Sequence, residues 1–213
     1  MVRKVLLVVL LLVVVLLGYA NSKPDHFSVE RSIDIAAPPE RVHALINDFH
    51  AWTQWSPWAR MDTTMQETYS GAPSGVGAIY EWKGNSSVGA GRMEITGSTP
   101  GTSVNVALDF LEPLEAHNRT VFTLTPKNGG TNVRWLMDGP ANFLTKLMMT
   151  VTTMDRLIGP DFEKGLRQLK AAAENAPSAH RVTPHRSGLY GAARVRDVPM
   201  ADRSRRLHVV NAE

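Results

Sequence analysis

Apolar residues return at two different periods along this chain, and the switches between them lay out its elements. Phe27, Val29, Ile33 and Ile35, with Arg31 among them, alternate with Ser28, Glu30, Ser32 and Asp34, the period of two that turns one face of a strand to a core. Ala36-Ala37-Pro38-Pro39 stops the strand. Pro39 then suits the first turn of a helix and Glu40 its positive end, with Val42, Leu45, Ile46 and Phe49 as the buried stripe. Trp52, Trp55 and Trp58 follow at intervals of three, which predicts one or two helical turns closed by Ser56-Pro57. Alternation resumes after Thr63, predicting strands over 66–70, 78–83, 88–96, 103–111, 119–125 and 132–137. Gly97 to Gly101 reads as a turn, Glu112-Pro113 as a break, and Pro126-Lys-Asn-Gly-Gly130 as a hairpin. Connections this short require antiparallel pairing, because a parallel crossover takes a dozen or more residues.

Asn142 to Thr152 predicts a short methionine-rich helix, and from Met154 to Glu174 the period becomes that of a long helix. Leu157, Ile158, Phe162, Leu166, Leu169 and Ala173 take one side, and Glu163, Lys164, Arg167, Lys170 and Glu174 the other. Gly159-Pro160 should kink or restart it. An apolar stripe needs a partner and the strands need a cover, so the economical α+β architecture is a curved antiparallel sheet of about seven strands wrapped around this C-terminal helix.

Two terminal segments fall outside that pattern. Residues 5–17 are an unbroken Val/Leu run behind Arg3 and Lys4, so segment 1–22 reads as a transmembrane anchor or a signal peptide, with Gly18-Tyr19-Ala20 a small-x-small cleavage site on the second reading. Either way the two positive charges stay cytoplasmic. The folded domain, 27–175, is then expected on the extracytoplasmic (periplasmic) side of the inner membrane, or secreted if the leader is removed. Segment 176–213 loses apolar periodicity and reads as a disordered basic tail, its Arg203-Ser-Arg-Arg206 cluster merely solvated on the preferred reading and docked on anionic lipid head groups on the other. The net charge of +3 conceals this division: residues 21–175 carry 14 Lys/Arg against 17 Asp/Glu, and the tail 7 against 3. A slightly acidic domain lacks the basic face that phosphate neutralisation demands, which argues against a nucleic-acid partner. The absence of cysteine excludes disulfides, thiolate catalysis and a cysteine-linked lipid anchor.

Four stretches carry a resemblance. Phe49-His-Ala-Trp-Thr-Gln-Trp-Ser-Pro-Trp58, Gly75-Val-Gly-Ala-Ile-Tyr-Glu-Trp-Lys-Gly84, Thr131-Asn-Val-Arg-Trp135 and the helix from Asp155 to Lys170 resemble the polyketide cyclase/dehydrase branch of the START-like (SRPBCC) superfamily. The likeness spans about residues 27–174. It implies a helix-grip cup around a deep apolar cavity, in a superfamily that ranges from lipid carriers to cyclases and oxygenase subunits. The leader and the basic tail depart from the plain soluble domain.

If the concave face is the one bearing Tyr80 with Trp82, Met93 with Ile95, and Val133, Trp135 and Met137, a ligand would meet Trp52, Trp55, Tyr80, Trp82, Met93, Phe110, Trp135, Met137, Met148, Phe162 and Leu166. The alternative is that these side chains fill the space themselves. Methionine, unbranched and soft, suits a wall that accepts varied apolar shapes. Reactive groups are scarce. His26, His43, His50 and His117 lack metal-ligand spacing, and His43 and His50, seven apart, read as a surface face, so no metal is expected. No nucleophile elbow, phosphate loop or dinucleotide fingerprint occurs, so no cofactor is expected either. Tyr80, Glu81, Asp109 and His117 remain for acid/base work, with Tyr80 and His117 the pair to try and Glu81 set against Arg92 on the outer face. Two functions follow: carriage of a hydrophobic small molecule or lipid, preferred because no reactive group is conspicuous, or cyclase/dehydrase-type chemistry in the same cavity. Two or more polar groups in hydrogen-bond reach inside the cavity would favour the second. The sequence sets no oligomeric state.

Overall fold

Each of these elements is present in the computed structural model, which describes residues 1–59 and 61–175. The order is α1 (Val2–Asn21), β1 (His26–Ile35), α2 (Pro39–Ile46), a 3-10 turn (Phe49–Gln54), β2 (Gln66–Gly71), β3 (Ala78–Lys83), β4 (Ala90–Thr99), β5 (Ser103–Glu112), β6 (Ala116–Lys127), β7 (Gly130–Pro140), α3 (Phe143–Met148) and α4 (Met154–Asn175). The tail expected over 176–213 lies outside the described residues.

The seven strands form one antiparallel sheet in the order β1-β7-β6-β5-β4-β3-β2. Strands β2 to β7 therefore pair as a meander, and β1 closes onto β7. The β6–β7 hairpin turns through Asn128 and Gly129, both at positive φ (49° and 78°), the conformation that Asn-Gly adopts cheaply. Strand β4 runs past the turn expected at Gly97 and ends at Thr99, with a register shift between Ile95 and Gly97 that bends the sheet.

α4 supplies the other half of the core. Phe162, Leu166, Leu169 and Ala173 are buried together with Val29, Phe122, Val133 and Trp135 of the sheet. Burial of each large apolar side chain contributes about 1.5–3 kcal/mol by area, an upper figure. Pro160 does not break the helix, which continues to Asn175; one lost N–H is outweighed by the packing on either side. Leu157, expected on the stripe, is exposed, while Ile158 beside it packs inward. Two glycines set how closely α4 lies. A Cβ on Gly159 would come within 2.2 Å of the Arg31 guanidinium, and one on Gly165 within 2.9 Å of the Trp135 ring. Arg31 then bonds Asp155 at 2.6 Å and Glu163 at 2.9 Å, tying β1 to the helix.

His43 corrects the sequence reading. It belongs to α2 while His50 lies in the 3-10 turn, and its ring is buried rather than on the surface. Ser98 Oγ gives its proton to Asn47 Oδ1 at 2.7 Å, so Ser98 Oγ in turn accepts from His43 Nε2–H at 3.1 Å. Glu81 stands opposite Arg92 in register as expected, yet the guanidinium bonds Glu94 instead, at 2.7 Å.

α1 is a continuous helix of 20 residues with a mean hydropathy of 2.5. It is exposed except at Ala20, and its main contact is with α3. It is long and apolar enough to cross a membrane, and a signal sequence has the same character.

Candidate functional site

Strand register builds the site. Glu67 pairs with Trp82 and Tyr69 with Tyr80 across β2 and β3; Tyr80 then faces Met93, and Trp82 faces Gly91, across to β4. Paired residues share a face, so these side chains stand together on the concave side, in line with Leu108 and Phe110 of β5. α4 packs against β1 at the far edge and leaves this half of the sheet uncovered. A cavity of about 280 Å³ remains there, roofed by Phe49, Trp52, Trp58 and the first turns of α4 through Ile158 and Phe162. Met65, Val88 and Met137 complete its apolar wall, and Thr53, Ser56, Glu67 and Ser87 add polar atoms.

Gly91 shapes this space by what it lacks. A Cβ there would lie 2.3 Å from the Trp82 ring, so the absent side chain lets the indole lie flat across β4, edge-on to Phe110 at 6.0 Å between centroids. Trp82 Nε1 donates to the Val88 carbonyl at 3.2 Å, and Trp52 Nε1 to that of Ile46 at 2.8 Å. Both indoles thus show a ligand their carbon faces, their polar atoms being already satisfied. Tyr80 continues the aromatic lining, 5.8 Å from Trp82, 5.1 Å from Tyr69 and 6.0 Å from Phe49.

The polar chemistry of the wall gathers at one point. Tyr80 Oη donates to Glu67 Oε1 at 2.9 Å, and Tyr69 Oη reaches Glu67 Oε2 at 3.4 Å. Burial first, and then the carboxylate, push the Tyr80 phenol far above its usual range; the same causes push Tyr69 up to about 12. Both tyrosines are neutral donors at physiological pH, and Glu67, itself exposed, sits where the cavity meets solvent.

The sequence-expected wall residues divide. Trp52, Tyr80, Trp82, Met93, Phe110, Met137 and Phe162 line the cavity. Trp55, Trp135 and Leu166 lie outside it, Trp55 and Trp135 in the core beneath α4 and Leu166 on the buried side of α4 itself, because the helix covers that half of the concave face. Trp135 stacks on Phe162 at 4.1 Å, and Trp55 Nε1 is bound to the Leu45 carbonyl at 2.9 Å. Met148 is on α3 with much of its side chain exposed, away from the cavity. Tyr80 and His117 are not brought together. His117 is on the outer surface, its Nδ1 2.8 Å from Asp109 and its Nε2 3.3 Å from Glu115, and these carboxylates raise its pKa. Glu67 was missed by sequence reasoning. Its signal is the period of two from Glu67 to Tyr69, which becomes meaningful once β2 is paired with β3. Among the described residues no group of three or more His, Asp and Glu is placed to hold a metal ion.

A seven-stranded antiparallel sheet gripping a C-terminal helix above an apolar cavity is a helix-grip fold of the hydrophobic-ligand-binding or cyclase type. The family model described as polyketide cyclase / dehydrase and lipid transport matches residues 26–174, and the chain belongs to that family. A solved protein from Chromobacterium violaceum is 20% identical, covering 71% of this chain and 99% of its own at a TM-score of 0.50. The Aha1 dimer from Colwellia psychrerythraea is 17% identical over 71% of this chain and 98% of its own, TM-score 0.50. The di-domain ARO/CYC StfQ from the steffimycin biosynthetic pathway is 13% identical over 70% of this chain and 51% of its own, TM-score 0.51. These likenesses are of fold. No curated protein sequence matches the chain.

Proposed function

We propose that the domain binds an apolar small molecule or lipid in this cavity, as a carrier held at the extracytoplasmic face of a membrane by α1. The observation that carries the binding reading is the cavity itself, about 280 Å³ walled by Phe49, Trp52, Trp58, Tyr80, Trp82 and Phe110, at the small end of the sizes that small-molecule sites take. Arg3 and Lys4 ahead of the apolar helix support the orientation. A solvatochromic apolar probe should bind saturably at one molecule per chain and be displaced by a long-chain lipid. A probe that fails to saturate would remove the reading. Protease protection in sealed vesicles tests the orientation separately, through accessibility of the domain from the extracytoplasmic side.

One observation favours the cyclase/dehydrase alternative. The Tyr80–Glu67 hydrogen bond, with Tyr69 alongside, supplies the two or more connected polar groups that chemistry in such a cavity requires. In that reading Glu67 takes a proton from the ligand and the neutral Tyr80 phenol orients the carboxylate. Conversion of a bound polyketone, lost in E67Q while the compound still binds, would establish it over simple carriage.

A further inference from the structure

The cavity contains one charged group on its described wall, and that group is negative. Glu67 has hydrogen-bond donors from Tyr80 and Tyr69 but no ion-pair partner among the described residues. The remaining wall offers aromatic faces, whose negative quadrupoles also favour positive charge. Trp82, Tyr69 and Phe49 all surround Tyr80 with centroids 5.1–6.0 Å from it, and the Tyr80 and Tyr69 hydroxyls meet the carboxylate. A ligand carboxylate placed here would meet a like charge and π faces and would find no cation among the described residues of the wall.

Resting on the ligand-binding reading above, we infer that the site selects ligands by head-group charge: an apolar body with an ammonium or other donor group turned to Glu67, to the exclusion of fatty-acid-like carboxylates. The tyrosine hydroxyls fix the carboxylate from the protein side, which leaves its remaining lone pairs to accept from the ligand. An alcohol can donate one hydrogen bond to those lone pairs. An ammonium adds charge and cation–π attraction, and an anion can do neither.

Three ligands that share a naphthylmethyl body and differ in head group, a primary ammonium, an alcohol and a carboxylate, separate the terms. Equilibrium dialysis would use the full chain in nanodiscs of zwitterionic lipid, with empty discs as the blank. The expected order is ammonium tightest, alcohol between, and the ammonium Kd at least about tenfold below that of the carboxylate, a difference of about 1.4 kcal/mol. E67Q should bring the ammonium and carboxylate within about threefold, with the alcohol, which loses only a charged acceptor for its one hydrogen bond, changing least. E81Q removes a carboxylate on the opposite face of β3 and should keep the wild-type order, which separates a local effect from the charge of the whole domain. A carboxylate that binds the wild type as tightly as the ammonium, or an E67Q variant that keeps the full preference, overturns the charge rule while binding itself stands. Failure of all three ligands, the neutral alcohol included, overturns the ligand-binding reading and the charge rule with it.

Discussion

Tyr80 Oη lies 2.9 Å from Glu67 Oε1 across the β2–β3 pair, a partly buried phenol donating to an exposed carboxylate at the lip of an apolar cavity. Ionising the phenol would set two negative charges on one hydrogen bond, so the pair fixes Tyr80 as a donor. In an alkaline titration followed by tyrosinate absorbance, Tyr69 should ionise near pH 12 and Tyr80 later still. E67Q should move both down without restoring the ordinary value, because burial, the larger cause, remains. Unchanged late transitions in E67Q would show that the carboxylate does not act on them.

Trp135 and Trp82 should respond differently to truncation. Trp135 is 2% exposed and stacked on Phe162, so Trp135→Ala should cost about 3–5 kcal/mol in chemical denaturation. Trp82 borders empty space, so Trp82→Ala should cost less in stability and more in probe affinity. Equal stability losses would mean that the cavity is closed in solution.

Gly91→Ala tests the shape of the wall. The new methyl would overlap the Trp82 ring and lie 2.6 Å from the Asp109 carbonyl oxygen, so the indole must move into the cavity. Overpacking of this kind costs about 1–3 kcal/mol. Probe binding should weaken along with stability, and a variant that binds as well as wild type would show that Trp82 is not held where Gly91 allows it.

The histidines should titrate apart in NMR spectra. Burial lowers the His43 pKa from 6.5, so its contribution to stability is present above about pH 6.5 and is lost as pH falls toward its folded value. His117 is raised from 6.5 by Asp109 and Glu115, so its contribution is present below about pH 6.5 and is lost as pH rises through its folded value. The two slopes have opposite sign, and H43Q should flatten the acid side alone. Coincident titrations of the two rings would contradict the environments described.

Periodicity made the sheet, the closing helix and much of the wall legible from sequence. Trp82, Met93 and Phe110 follow from alternation, because a strand has two faces and the polar residues mark the outer one. Trp55, Trp135 and Leu166 share the concave side or face it, and sequence does not say how far α4 extends across the sheet; the glycines at 159 and 165 that draw it close look like any others. Glu67 lies in a polar stretch, Gln66-Glu67-Thr68, where nothing local separates a rim carboxylate from a solvated one. Its meaning comes from pairing with Trp82, a relation between residues 15 apart. His43 was misplaced for a similar reason, since its partner Ser98 stands on a distant strand.

Ser22 to Asp25 are all that separate the end of α1 from the start of β1. Four extended residues reach no more than about 14 Å, a fraction of a domain's width. In a chain that keeps α1 in a bilayer, the cup cannot drift away from the lipid. On that placement α3, which α1 contacts, would bring exposed Phe143, Leu144 and Met148 toward the headgroups, with Val151 just beyond it. The cavity would then sample molecules at the effective concentration set by a short leash rather than at their concentration in bulk water. Such a domain could work with modest affinity: what it meets is decided by which leaflet it is tied to, and Glu67 need only sort what that leaflet presents.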